Sequence, residues 1–212
     1  MEQAIEEFNQ LYPNYKAEVF ERQCEIVETS PMSERDFCRL VVTNANGYLF
    51  PRELAGATVS FYEKAQSPAP MRFNCDGIFF SEIEGRKCIF ACELKSSFDS
   101  TAIFHAREQI VGTLLRLRAK FGMLQTRPDW EYHGLIVSYE PTMSQLVSIN
   151  KLRSNDARFS LYLSKNKHKL INGKYAERFY KPLAIPNLTI HYVGVPNRQP
   201  IYQLGLDAIV GL

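Results

Sequence analysis

Two apolar runs on either side of a tight turn constrain this chain more than anything else in it. Phe73 to Glu82 and Lys87 to Leu94 are rich in β-branched and aromatic residues, and the Glu84-Gly85 pair between them predicts a two-residue hairpin turn. With Ile83 and Arg86 flanking that turn the register follows, and counting back along both strands sets Asp76 opposite Glu93. Period-two alternation then sends Asn74, Asp76, Ile78 and Phe80 to one face, together with Lys87, Ile89, Ala91, Glu93 and Lys95. The other face receives Cys75, Gly77, Phe79, Cys88, Phe90, Cys92 and Leu94.

Around the hairpin the pattern changes period. A short helix ending near Tyr12-Pro13 is expected first, followed by a helix over Tyr15 to Glu28 that stops before Ser30-Pro31. Phe37 to Thr43 and Ala57 to Glu63 read as strands, bounded by Asn46-Gly47 and by Pro68 and Pro70, and continue into the hairpin as successive antiparallel strands. From Ser100 onward Ile103, Ala106, Ile110, Leu114, Leu117 and Phe121 recur at helical spacing, with Ser100-Thr101 able to cap the entry and Gly122 marking the stop. Tyr132 to Tyr139 is a short apolar run bounded by turn residues, which suits an interior strand of a mixed sheet. A helix over Met143 to Leu152 and strands at Phe159 to Leu163 and Leu188 to Val195 complete the reading. The fold class is α/β, a mixed sheet flanked by helices. A single domain is expected over residues 1–212, with its core at about 15–140 and a basic C-terminal extension at about 141–212.

Composition narrows the setting. At 212 residues, 45% hydrophobic and 23% charged, the chain suits one globular core. No run approaches the about 20 apolar residues that cross a bilayer, and the first residues lack the basic-then-apolar order of a signal peptide, so a cytoplasmic protein with no membrane partner is expected. The five cysteines, Cys24, Cys38, Cys75, Cys88 and Cys92, include no C-x-x-C pair and read as reduced; around Cys88 and Cys92 the pattern is that of a buried strand face. Residues 1–63 carry 5 basic and 11 acidic groups, whereas residues 151–181 carry 9 basic groups against Asp156 and Glu177. The basic segment interleaves Phe159, Tyr162, Tyr175, Phe179 and Tyr180, a mixture that serves either as a phosphate- and base-binding surface or as a solvated rim with its aromatics turned inward.

The chemistry concentrates at the open end of the hairpin. Two carboxylates facing each other across paired strands repel, and a hard divalent cation compensates for them naturally. Lys95, two residues beyond Glu93 and on the same side, is placed to orient or activate a water and to offset charge on a phosphate. Glu93-Leu94-Lys95 alone is a triplet that chance supplies, and a structural salt bridge is its plain alternative. The weight comes from context: it ends an apolar strand, faces an acid, and precedes a helix, and unpaired charge at the end of a buried strand is costly.

With Asp76, then Glu93-Leu94-Lys95, then the helix, the chain resembles the PD-(D/E)XK nuclease superfamily over about residues 57–139. The resemblance implies a restriction-endonuclease-like α-β-β-β-α-β core. It further implies that Asp76, Glu93 and the backbone carbonyl of Leu94 hold Mg²⁺ or Mn²⁺ while Lys95 serves the attacking water. Gln109 matches a glutamine that many members carry on the following helix; with His105, Gly112 and Arg116 it forms a polar stripe that is either functional or simply solvated. An acid from the first helix often joins the metal shell, and Glu18, Glu21 and Glu25 are candidates, with Glu21 favoured. Cys75 stands where the family pattern has proline.

The implied activity is metal-dependent endonucleolytic hydrolysis of nucleic acid, DNA more than RNA, in a restriction or phage-defence setting. The alternative is a nuclease-fold subunit that binds nucleic acid or docks a partner without turnover. A homodimer or a protein partner is a possible source of targeting. No Gly-rich phosphate loop, G-x-S-x-G elbow or H-E-x-x-H pair occurs, and His105, His133, His168 and His191 are scattered in sequence. Ser96 and Ser97 read as loop residues.

Overall fold

The predicted turn is present, and its backbone shows why it is tight. Glu84 and Gly85 both take positive φ, 51° and 77°, the combination a two-residue hairpin turn of the right twist requires. It joins β5 (Gly77–Ile83) to β6 (Arg86–Lys95), and the pairing Ile83 with Arg86 through Gly77 with Cys92 is the register expected from the sequence. The computed structural model describes residues 1–28, 39–56, 73–126, 129–145, 147–148, 171–172, 188–196 and 199–210.

Ahead of the hairpin lie α1 (Glu2–Leu11), β1 (Glu18–Phe20), β2 (Gln23–Val27), β3 (Arg39–Thr43), β4 (Gly47–Phe50) and the short α2 (Arg52–Gly56). After it come the long α3 (Ser100–Phe121), β7 (Glu131–Tyr139), β8 (Ile171–Asn172), β9 (Leu188–Val195), β10 (Ile201–Gly205) and α4 (Asp207–Val210). Two sheets result. A seven-stranded mixed sheet runs β1-β4-β5-β6-β7-β9-β8, with β6, β7 and β9 parallel, and a three-stranded sheet runs β10-β3-β2.

Each face of the large sheet has its own core, which is how so apolar a hairpin is accommodated. Ile78, Phe80, Ile89 and Ala91 pack with Ile5 and Phe8 of α1 and with Ile103, Ile110 and Leu114 of α3. On the reverse face Phe79, Cys88, Phe90, Cys92 and Leu94 pack with Cys24 and Ile26 of β2 and Leu40 and Val42 of β3. The chain is thus α/β, with a mixed sheet between helices and a second sheet. No helix among the described residues is long and apolar enough to cross a membrane.

Several expectations need correction. The helix expected over Tyr15 to Glu28 is instead β1 and β2: Cys24 and Ile26 are buried while Gln23 and Glu25 are exposed, a period of two that the spacing of Val19, Phe20, Ile26 and Val27 had concealed. The chain crosses between the sheets at Glu21-Arg22, where Arg22 has φ 68° and its amide donates to Asn46 Oδ1 at 2.8 Å. Asn46-Gly47 bounds the strand ending at Thr43 as expected, but Gly47 also opens a strand that was not expected, β4, where a Cβ would stand 1.7 Å from Phe80 O. β3 joins the second sheet rather than preceding β5 in the first. Asp99, not Ser100-Thr101, caps α3, its carboxylate accepting from Ala102 N at 2.8 Å; Gly122 ends that helix as expected. β7 and β9 match the expected strands, and β9 lies within the large sheet, so this described part of the C-terminal region belongs to the core. The strands expected at Ala57 to Glu63 and Phe159 to Leu163, most of the basic segment 151–181, Cys38, His168 and the end of the Met143 to Leu152 helix lie outside the described residues.

Candidate metal centre

The ladder between β5 and β6 ends at Gly77, and the side chain of Asp76 takes over where the backbone pairing stops. Asp76 N donates to Cys92 O at 2.9 Å, and Asp76 Oδ2 accepts from Leu94 N at 2.8 Å. The carboxylate is thereby fixed beside Glu93, as the hairpin register requires. The segment leading into it is fastened to α3. Cys75 N donates to Thr113 Oγ1 at 2.9 Å, Arg116 donates to Phe73 O at 2.8 Å and also binds Asn74 Oδ1, and Gln109 Nε2 donates to Asn74 O at 2.7 Å. The polar stripe of α3 is therefore a clamp on residues 73–75, with Arg116 buried in it, rather than a solvated face. That clamp turns Cys75 toward the helices, against the face assigned to it by alternation.

Glu93 is 1% exposed and Asp76 6%. Lys95 Nζ bonds Glu93 Oε1 and donates to Gln109 Oε1 at 2.8 Å, so Gln109 bridges the lysine to the backbone just before Asp76. Of the expected catalytic residues Asp76, Glu93, Lys95 and Gln109, all four meet in one place. Leu94 lends its amide to Asp76 and its side chain to the core beneath.

Glu21 does not join them. It sits exposed in the crossing between β1 and β2, on the rim of a cleft of about 960 Å³ shared with Arg22, Tyr48 and Glu82. The third acid is Glu28, one residue past β2: one ligand oxygen each from Glu28, Asp76 and Glu93 all lie within 4.8 Å of one another. Arg52 of α2 stands over the group, 3.5 Å from Glu28 Oε1 and 3.7 Å from Asp76 Oδ1. Glu28, Arg52 and Asp76 face a cleft of about 550 Å³ that Asn74 and Gln109 also line. Glu28 and Arg52 were missed because their roles depend on the path of β2 and α2; the alternation in Gln23 to Val27 was the signal that could have brought Glu28 forward.

Electrostatics mark this as a place short of positive charge. Burial, then the neighbouring Glu93 charge, raises the Asp76 carboxyl far above its usual range, and the Leu94 amide only partly opposes this. Burial likewise pushes Glu93 up to about 7, against the opposing pull of Lys95. Glu93 Oε2 is buried with no hydrogen-bond partner. Three carboxylates, one of which also carries an orphaned oxygen, fit a hard cation such as Mg²⁺ or Mn²⁺, which takes carboxylate oxygens and leaves positions for water and phosphate. No protein-family model, curated protein or solved structure matches the chain.

Proposed function

We propose that the chain is a divalent-metal-dependent endonuclease that hydrolyses phosphodiester bonds of nucleic acid, DNA in preference to RNA. The observation that carries this reading is the convergence of Glu28, Asp76 and Glu93 within 4.8 Å, beside a lysine held by Glu93 and Gln109. The reading also draws support from part of the element order, in which α1 and the antiparallel β4-β5-β6 precede α3 and a β7 parallel to β6, with β1, β2, β3 and α2 inserted among them. A restriction or phage-defence setting extends that resemblance.

Glu28, Asp76 and Glu93 would hold Mg²⁺ or Mn²⁺, with the Leu94 carbonyl as the further ligand the resemblance implies. Once bound, the ion supplies Lewis-acid polarisation of the phosphate and a more acidic water. The chain's own groups do the rest. Lys95 presents a fixed ammonium that orients the attacking water and offsets the charge that grows on the phosphate oxygens. Gln109 keeps that ammonium in place through its second contact with Asn74. Arg52, at the mouth of the cleft, is a fork-shaped donor suited to a non-bridging phosphate oxygen. The water oxygen bonds to phosphorus as the bond to the 3′ oxygen breaks; the water's proton passes to solvent and the leaving oxygen takes one up, giving 5′-phosphate and 3′-hydroxyl ends.

Incubating the purified chain with plasmid, single-stranded DNA and RNA, in Mg²⁺ or Mn²⁺ and in EDTA, tests the proposal. Metal-dependent cutting is expected, with Asp76→Asn and Lys95→Ala each slower by about 10²–10⁴-fold. A wild type that cuts nothing, or variants that cut equally well, would overturn it. In Ca²⁺, neutralising Lys165, Lys167 and Lys169 together is expected to flatten the dependence of binding on salt by up to about three phosphate contacts.

A further inference from the structure

The parallel strands β6, β7 and β9 carry a second cluster of metal-ligating groups, on the face of the sheet away from α3. Cys88 pairs with Glu131, Phe90 with His133, and Leu135 with His191, so period-two alternation puts Cys88, Glu131, His133 and His191 on one side. Histidines scattered in sequence are thereby brought into contact: His133 Nδ1 lies 3.0 Å from His191 Nε2, with the rings stacked. One donor atom each from Cys88, Glu131 and His133 all fall within 4.8 Å of one another.

His133 is 6% exposed, and its Nε2 is buried without a hydrogen-bond partner. That nitrogen points at Glu131, whose Oε2 is 3.6 Å away. If His133 Nδ1 carries the proton and donates it to His191 Nε2, then Nε2 presents its lone pair to the cluster. This is the arrangement in which a second group orients a metal-bound imidazole.

We propose that Cys88, Glu131 and His133 form a transition-metal site, oriented by His191 and selective for Zn²⁺ over Mg²⁺. The donor set is sulfur, nitrogen and oxygen, which suits zinc and not a hard cation. A thiolate and a carboxylate neutralise the ion, so the site adds no net charge to the interior. Tetrahedral zinc sets neighbouring donors about 3.3–3.8 Å apart, the separation that Glu131 and His133 already show, and the Cys88 thiol lies within 4.8 Å of a donor on each. Arg86, 3.4 Å from Glu131 Oε2, competes for that carboxylate and holds it in the metal-free state. Cys88 and Glu93 are five residues apart on β6, about 16 Å along the strand and on opposite faces, so the site is independent of the carboxylate centre. It ties β6 to β7 where that parallel pair begins.

Titration of the purified chain with Co²⁺ reads the site directly, through the thiolate-to-cobalt charge-transfer absorption. One equivalent is expected to bind with that signature. Asp76→Asn should leave it unchanged, Cys88→Ser should abolish it, and His133→Gln should weaken the complex about 10–100-fold. X-ray absorption on the wild-type zinc complex needs no variant and should give one sulfur with nitrogen and oxygen neighbours. A shell without sulfur, or a charge-transfer band that survives Cys88→Ser, overturns the proposal, as does the absence of a stoichiometric complex.

Discussion

Glu28 is the acid whose role depends most on how neighbouring elements meet, so it offers the sharpest test among single residues. It follows a strand of the small sheet, yet its carboxylate reaches a pair held by the large one. Glu28→Gln should lower the cleavage rate about 10–100-fold at limiting Mg²⁺, with partial recovery as Mg²⁺ is raised, because a neutral amide still occupies the position but binds the ion weakly. Glu21→Gln, in the exposed crossing, should leave rates within about 2-fold. Initial rates against Mg²⁺ concentration for both variants decide this; equal effects would remove Glu28 from the metal shell. Lys95 gives a complementary signature. Since it touches Glu93 and Gln109, Gln109→Ala should loosen it and lower turnover without removing a metal ligand, leaving the Mg²⁺ dependence of the rate unshifted.

The element scale explains both what the sequence revealed and what it hid. The hairpin was legible to the residue because a two-residue turn fixes register, and register carried Asp76 to Glu93 and Lys95 to their shared side. α3 was legible because its apolar period is sustained over many turns, and β7 because it is a short apolar run bounded by turn residues; β9, with a weaker signal, also falls where a strand was expected. β1 and β2 were not: a handful of apolar residues in a short charged segment satisfy both helical and strand spacing, and only the second sheet decides between them. Gly77 makes that decision possible. A Cβ there would stand 2.5 Å from Ile26 Cδ1, so the bare backbone lets β2 lie close across β5 and brings Glu28, two residues further on, to Asp76. Gly77→Val should therefore cost about 1–3 kcal/mol in denaturant unfolding and weaken Mg²⁺ binding as well, whereas unchanged Mg²⁺ affinity in a folded variant would show that β2 has no part in placing the acid. The turn offers a gain instead. Glu84 holds a left-handed conformation and makes a loose 3.7 Å contact to Arg86. Glu84→Asn should raise stability by about 0.5–1 kcal/mol, measured the same way, because asparagine tolerates that conformation better.

For the molecule as a whole, the carboxylate centre links folding to both protons and metal. Burial lifts Glu93 from its ordinary value near 4.5 to about 7, and lifts Asp76 further in the same direction. A carboxyl whose folded value lies above its unfolded one favours folding while it is protonated, so that contribution is complete below the unfolded value and is lost as pH rises through the folded one. Without metal, stability should decline from about pH 5 upward through neutrality. A divalent cation reverses the trend, because it binds the deprotonated carboxylates of the folded chain and gains affinity as the protons leave. At about 100 times its dissociation constant such an ion adds about 2.7 kcal/mol, or about 5–10 °C in the unfolding midpoint of a chain this size. Thermal melts in Mg²⁺ and in EDTA should therefore nearly coincide at about pH 5.5 and separate by that amount at about pH 8.5, with the EDTA curve the one that moves down. Asp76→Asn replaces a buried carboxyl with a neutral group, so it should remove the Asp76 share of the EDTA decline, leave that of Glu93, and abolish most of the separation. A separation that is constant with pH, or that persists in Asp76→Asn, would place the ion away from Asp76 and Glu93.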